Sequence, residues 1–342
     1  MYEILERDFL CDSVPLRPVR ARVPRVVVSM SSGCAEMKSY VLVHRLVVFI
    51  TCAAAIAAVA AQAVKPFPPG LKGELLFQSD REGPTRLFVL DLASGAVRRV
   101  GSAGDWLDEE PRWSPDGRRI AFSSSRGEKG NLDIFVMDAE GTNVVRLTDH
   151  RAAEQGPVWA SDGKSLFFTG ERDGRGEIYR VWLADKRVER ITRGIDRAIM
   201  PATSPDGRYL AYAAQTIMDF QIHLVDLTTG RTQQVTSGGG SCRPSFSSDS
   251  KELAFVRIAQ EPSRIDAVRE NGTRVLFEDK RLWSYYPDYS PDGRYLAFSV
   301  SPEHHQGEDW DLAIMDLQQP GKFTRVTTGP GNDRVPDWRP RS

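Results

Sequence analysis

A chain of 342 residues is long enough for one large all-β domain or two domains of average size, so length alone does not choose between them. Hydrophobic content of 41% and charged content of 27% supply enough apolar side chain for a sizeable core and exclude disorder as the default. A net charge of -1, with no basic excess to make a cationic face, excludes nucleic acid as the expected partner.

Residues 1–63 read as a leader. Lys38 and Arg45 precede the uncharged apolar stretch Leu46 to Ala61, and Ala61-Gln62-Ala63 follows it. A basic region, an apolar region and a small-x-small cleavage site make a secretory signal peptide, and the apolar run is short for a membrane span. Such peptides begin near the start methionine, so translation is expected to start at Met37, with residues 37–63 as the signal peptide. An uncleaved membrane anchor is the alternative and the sole membrane attachment expected. The protein is thus expected to be periplasmic or secreted.

Cys11, Cys34 and Cys52 fall in the leader, leaving Cys242 alone in the mature part, so an internal disulfide is excluded and the core must hold the fold. Cys52 lacks the residues that precede a lipid-attachment cysteine. Residues 64–72, with three prolines, read as an extended linker. Beyond residue 63 the chain has 38 basic against 41 acidic residues, a balance of -3.

From Gly73 onward a repeat of 40 to 50 residues appears, the period of propellers. GELLF at Gly73 is a strand of the type that recurs after each of the first five Pro-x-aromatic starts. These starts are Pro111-Arg112-Trp113, Pro157-Val158-Trp159, Pro244-Ser245-Phe246, Pro287-Asp288-Tyr289 and Pro336-Asp337-Trp338, with Pro201-Ala202-Thr203 lacking the aromatic. The spacings are 46, 44, 43, 43 and 49 residues. A turn and an alternating strand follow, as in SPDGRRIAF from Ser114 and SPDGRYLAF from Ser290. In that turn Ser bonds the local backbone, Pro presets φ, and Gly supplies the left-handed conformation that re-enters a hairpin. A third strand ends in aspartate at Asp91, Asp138, Asp226 and Asp316, and a fourth ends in threonine at Thr148, Thr236 and Thr327.

Four short antiparallel strands per repeat make a propeller blade. The first repeat lacks its first strand, which reappears as Val335 to Arg339. The expected fold is therefore all-β: a six-bladed β-propeller over residues 73–342, its first blade closed by the C-terminal strand. Closure removes the exposed edges of an open array.

The wording Pro-x-Trp-Ser-Pro-Asp-Gly-x-x-Ile-Ala-Phe at Pro111 to Phe122 resembles the WD-like repeat of TolB-like six-bladed propellers, and the resemblance covers nearly all of residues 73 to 339. It is specific in fold and loose in function. Related repeats occur in periplasmic TolB and in propellers that gate prolyl-oligopeptidase-like and tricorn-like peptidases. The resemblance implies a non-catalytic protein- or peptide-binding scaffold in the cell envelope, acting as a monomer. The first blade begins about ten residues after the expected cleavage site, which leaves out the α/β domain that precedes the propeller in TolB.

Catalytic signatures are scarce: there is no Gly-x-Ser-x-Gly elbow, no His-Glu-x-x-His, no Walker loop and no Cys-x-x-Cys after the leader. The chain reads as a binding module, and a propeller hydrolase or lyase acting on a glycan or lactone, with a metal at the channel mouth, is the alternative. The aromatics at the Pro-x-aromatic starts are expected to pack between blades, and the Asp-Gly pairs to form turns. His304 and His305, beside Glu308 and Asp309, read as a solvated loop more than as a metal site.

Geometry places the candidate site at the central channel, because loops between blades share one face of the ring. Three residues before each inner-strand proline stand Asp333, Asp108 and Glu154, then Ala198, Ser241 and Ser284, so half of the mouth is expected to be acidic. The channel-mouth binding set is Asp108, Glu110, Glu154, Arg197, Arg243 and Asp333. No organic cofactor is expected; calcium is the cation that Asp108, Glu154 and Asp333 would take, or else a partner's basic group. A rim of solvated, mutually indifferent charges is the simpler reading. Trp283, Tyr285, Tyr286 and Trp310 are expected as exposed aromatics for a protein or glycan contact, with packing between blades as the competing role.

Overall fold

The computed structural model describes residues 67, 70–127, 130–194, 196–216, 219–303 and 307–340. The leader, its signal peptide, most of the linker and the His304-His305 pair lie outside the described residues. Residues Ala63–Ser342 make one compact unit.

Turn chemistry sets the local structure. In SPDG turns the Ser114 hydroxyl donates to Asp116 at 2.5 Å and accepts from the Arg119 amide at 2.9 Å. The same contacts recur at Ser204, Ser247 and Ser290, each folding the chain back into the alternating strand that follows. The aspartates that end third strands cap local turns: Asp91 accepts from the Ser94 amide, Asp226 from Thr228 and Thr229, and Asp316 from Gln318. The fourth-strand threonines reach back to third-strand amides, as Thr148 does to Ile134 at 2.9 Å and Thr192 to Ile178 at 2.9 Å. The threonine bonds are buried and satisfy amides that burial would otherwise penalise, while the aspartate caps fix exposed turns.

Among the described residues, twenty-four strands form six four-stranded antiparallel sheets. Blade 1 consists of Arg334–Trp338, Glu74–Ser79, Arg86–Asp91 and Val97–Val100, in that order. The C-terminal strand thus pairs with Glu74–Ser79, opposing Leu75 to Trp338 and Gln78 to Arg334. The inner strands of blades 2 to 6 are Asp108–Trp113, Glu154–Trp159, Arg197–Thr203, Ser241–Phe246 and Trp283–Tyr289. Each contacts its neighbour in turn, and blade 6 meets the closing strand, so the ring is complete.

The core lies between the blades. Trp113 joins the cluster between blades 1 and 2, Trp159 that between 2 and 3, Tyr289 that between 5 and 6, and Trp338 that between 6 and 1. All four are nearly buried, at 5% to 7% exposure, so their rings serve packing and not stacking on a ligand. Each such burial stabilises the ring by roughly 1.5–3 kcal/mol. Phe246, at the equivalent place, is only half-buried.

Candidate functional site

Every inner strand carries a bulge at the residue before its proline. The register slips between Glu109 and Arg112, Gln155 and Val158, Ile199 and Ala202, Cys242 and Ser245, and Tyr285 and Asp288. At each slip the pre-proline residue is left-handed, with φ between 50° and 63°: Glu110, Gly156, Met200, Arg243, Tyr286 and, in the closing strand, Val335. Five of these six are not glycine, a conformation that costs of order 1–3 kcal/mol each and persists only where the surroundings enforce it. A bulge re-aims its side chain. Five of the six residues line one small opening, walled by Pro157, Pro201, Pro244 and Pro287 and continuous with solvent.

Blades 2 and 5 stand opposite each other in a six-membered ring, yet Glu110 and Arg243 meet across it, Nη1 to Oε1 at 2.9 Å. The Arg243 guanidinium lies over the Tyr286 ring, 4.5 Å from its centre. The Glu110 amide donates to Gln78 Oε1 at 2.7 Å, which fixes its backbone against blade 1. Gly156 completes the arrangement, since a Cβ there would stand 3.3 Å from Glu110 Oε2.

One residue beyond each proline lies a second ring of positions: Arg112, Val158, Ala202, Ser245, Asp288 and Asp337. Asp337 accepts from the Trp113 amide at 2.6 Å, and Asp288 from the Trp338 amide at 2.9 Å, each carboxyl linking its blade to the next. Burial pushes both carboxyls up. Asp337 rises to about 6 even with Arg112 Nε 3.8 Å away, and Asp288 rises well above the usual range, from burial first and the neighbouring Asp337 charge second. These residues are the middle letters of the Pro-x-aromatic starts, so their common position in the ring is legible in the repeat.

The acidic half of the mouth is corrected by its partners. Asp108, Glu154 and Asp333 are buried, at 1%, 0% and 2% exposure. Each is paired with an arginine from the loop between the second and third strands of its own blade. Arg126 reaches Asp108 at 2.7 Å, Arg172 reaches Glu154 at 2.5 Å and Arg81 reaches Asp333 at 2.5 Å. Those guanidiniums also lie over aromatic rings: Arg126 over Phe122 and the half-buried Trp106, Arg172 over Phe168, Arg81 over Phe77. Their charge is spent on fastening the blade, and among the described residues no three His, Cys, Asp or Glu side chains gather to hold a metal ion. Asp108, Glu154 and Asp333 are thus each turned to an arginine of their own blade and do not make a solvated acidic rim. The signal for this pairing is the arginine of Ser79-Asp80-Arg81, Ser124-Ser125-Arg126 and Gly170-Glu171-Arg172, present in the three blades that carry the acid. Arg197 pairs with Glu171 at 2.9 Å, away from Arg243 and Glu110.

The expectation of exposed partner-contact aromatics is also corrected. Tyr285, Tyr286 and Trp310 are 3%, 7% and 1% exposed, and Trp283 is half-buried. Trp310 packs its edge against Tyr285 at 5.7 Å, donates Nε1 to the Gly307 carbonyl at 3.2 Å, and lies under Arg334. Only Tyr286 of the four reaches the channel opening.

The model of the TolB beta propeller domain matches residues 107–276. An uncharacterized protein of Agrobacterium fabrum is 30% identical over 157 residues, 42% of this chain and 53% of that protein. The Tol-Pal system protein TolB of Francisella tularensis is 25% identical over 186 residues, 53% of this chain and 42% of that protein. The chain therefore spans about half the length of the curated relatives it matches. Among solved structures, TolB from Acinetobacter baumannii superposes with a TM-score of 0.66 at 25% identity, covering 79% of this chain and 67% of that one. A putative TolB from Agrobacterium tumefaciens gives 0.64 at 18% identity, covering 78% and 92%, a likeness of fold alone.

Proposed function

From a chain that is a TolB-like six-bladed β-propeller, we propose a non-catalytic binding scaffold of the cell envelope that presents its channel face to a protein or peptide partner. The observation that carries this reading is the channel opening: residues from the inner strands of five blades converge on one space, held there by bulges that cost conformational energy. Strain maintained at equivalent positions around a ring marks a surface shaped for contact. The opening is walled by four prolines, Met200, Val158 and Tyr286 around the ion pair of Glu110 and Arg243 and around Arg112, so apolar walls and charged groups meet in one place. The relatives named TolB support a protein as the occupant and the envelope as the location.

The test is cross-linking and affinity capture with the tagged full-length chain in its own cells, compared with Met200→Trp, which would fill the opening. Wild type is expected to capture a defined envelope partner and the Met200→Trp protein, at an unchanged melting temperature, to lose it. Equal capture by both would move the contact off the channel face and end this reading.

A further inference from the structure

Only two of the six left-handed channel positions carry charge, and they are the two that face each other, Glu110 and Arg243. Their side chains are 19% and 10% exposed. A guanidinium laid flat on an aromatic ring with its fork turned toward a carboxylate is the arrangement that recognises carboxylates, because planar stacking leaves the in-plane donors free to bond in parallel. Arg243 brings both partners together: its guanidinium carbon is 4.5 Å from the centre of the Tyr286 ring and its Nη1 is 2.9 Å from Glu110 Oε1.

The two ions are not equally fixed. Arg243 is held by Tyr286 from its adjacent blade as well as by Glu110. The Glu110 carboxylate comes from the far wall, and beside it lies Gly156, the one pre-proline position with no side chain. A carboxylate brought in from solvent can therefore replace Glu110 on Arg243 without disturbing the stacked pair. The space beside the pair is small and open to solvent, room for a carboxylate group and not for a whole ligand to be enclosed.

We propose that Arg243 and Tyr286 form a carboxylate-binding site for the end or an acidic side chain of a peptide, and that Glu110 is the internal carboxylate occupying it until a ligand enters. The proposal rests on the reading of the channel face as a docking surface and names the chemistry read there. Glu110 then sets the threshold for binding, since any ligand must compete with it, and Gly156 keeps the room that the exchange needs.

The probes are triglycine, triglycinamide and N-acetyl-aspartyl-glycinamide, measured by saturation-transfer NMR on the full chain. Triglycine is expected to bind weakly to wild type and triglycinamide not at all. Glu110→Gln removes the competing charge and is expected to strengthen triglycine binding about tenfold, while Arg243→Met, at an unchanged melting temperature, abolishes it. If Arg243→Met does not fold, Arg243→Lys combined with Glu110→Gln serves, and is expected to lose most of the gain because an ammonium lacks the fork. Binding of both carboxylate probes assigns the site to carboxylates in general, and of triglycine alone to a chain terminus; either supports the proposal. A triglycinamide signal equal to that of triglycine, or no gain in Glu110→Gln, overturns it. That failure beside intact partner capture by wild type leaves the docking surface standing, whereas carboxylate binding without any captured partner would remove the docking reading and leave the site.

Discussion

At Asp337 two opposed effects meet on one side chain: its carboxylate accepts the Trp113 amide and faces Arg112, yet burial between blades raises its pKa to about 6. Burial wins, because a single guanidinium at 3.8 Å does not replace the lost hydration. A folded pKa above the unfolded one means that the folded state binds the extra proton. The contribution to stability is thus fully present below about pH 4, the unfolded value, is lost progressively between pH 4 and 6, and is gone above the folded value. Asp288, raised for the same reasons, acts in the same direction, as does Asp311, lifted to about 6 by burial. Asp337→Asn keeps an acceptor for the Trp113 amide and removes the charge, so it is expected to stabilise the protein by about 1–3 kcal/mol at pH 7.5. That gain should fade by pH 4. Urea denaturation at the two pH values checks it, and a loss of stability at pH 7.5 would show that Arg112 outweighs burial. At Gly156 the expected change is the reverse. Gly156→Ala meets a φ of 63° and a Glu110 oxygen at 3.3 Å, so a loss of about 1–2 kcal/mol is expected in the same measurement.

Within each of the first three blades, a buried acid at the head of the inner strand and an arginine after the second strand clamp the sheet at its channel end. Removing one partner leaves a buried charge without compensation, so Arg126→Met is expected to cost about 3–5 kcal/mol. Arg126→Met together with Asp108→Asn should recover most of that loss, since neither charge then remains to be desolvated. Thermal denaturation of the single and double variants decides it; a double variant as unstable as the single one would mean that stacking of Arg126 on Phe122 and Trp106 matters more than charge. The closing strand poses a different question at the same scale. Its Trp338 packs between blades 6 and 1, and Trp338→Ala is expected to cost about 3–5 kcal/mol, as for large aromatics elsewhere. Deleting the residues after Gly331 should lower the melting temperature further, because blade 1 would keep three strands and an open edge. A deletion variant melting with the full chain would contradict the closure.

For the whole molecule, the fold was legible because a propeller is written in local terms. Ser-Pro-Asp-Gly turns, two-residue alternation and third strands ending in aspartate act within one blade, so a repeat read along the chain yields the sheets, and the missing first strand yields the closure. The buried role of Trp113, Trp159 and Trp338 was legible for the same reason, as equivalent positions in successive strands must face neighbouring blades. The mouth was not legible to the same depth. Counting Asp108, Glu154 and Asp333 as a rim of free acids overlooked that Arg126, Arg172 and Arg81 return to the same place at the end of a hairpin. Tyr285 and Trp310 looked exposed because aromatic residues in or beside loops carry no mark of the partner they pack against. The contact between Glu110 and Arg243 joins residues 133 positions apart in blades that are not neighbours in the ring. Thus the strands, their number, the turns and the ring followed from short-range chemistry in the amino-acid order. Which charges cancel, which remain in the channel and which two meet across it were decided by ring closure, because Coulomb and stacking energies depend on distance in space and on exclusion of water, neither of which the repeat encodes.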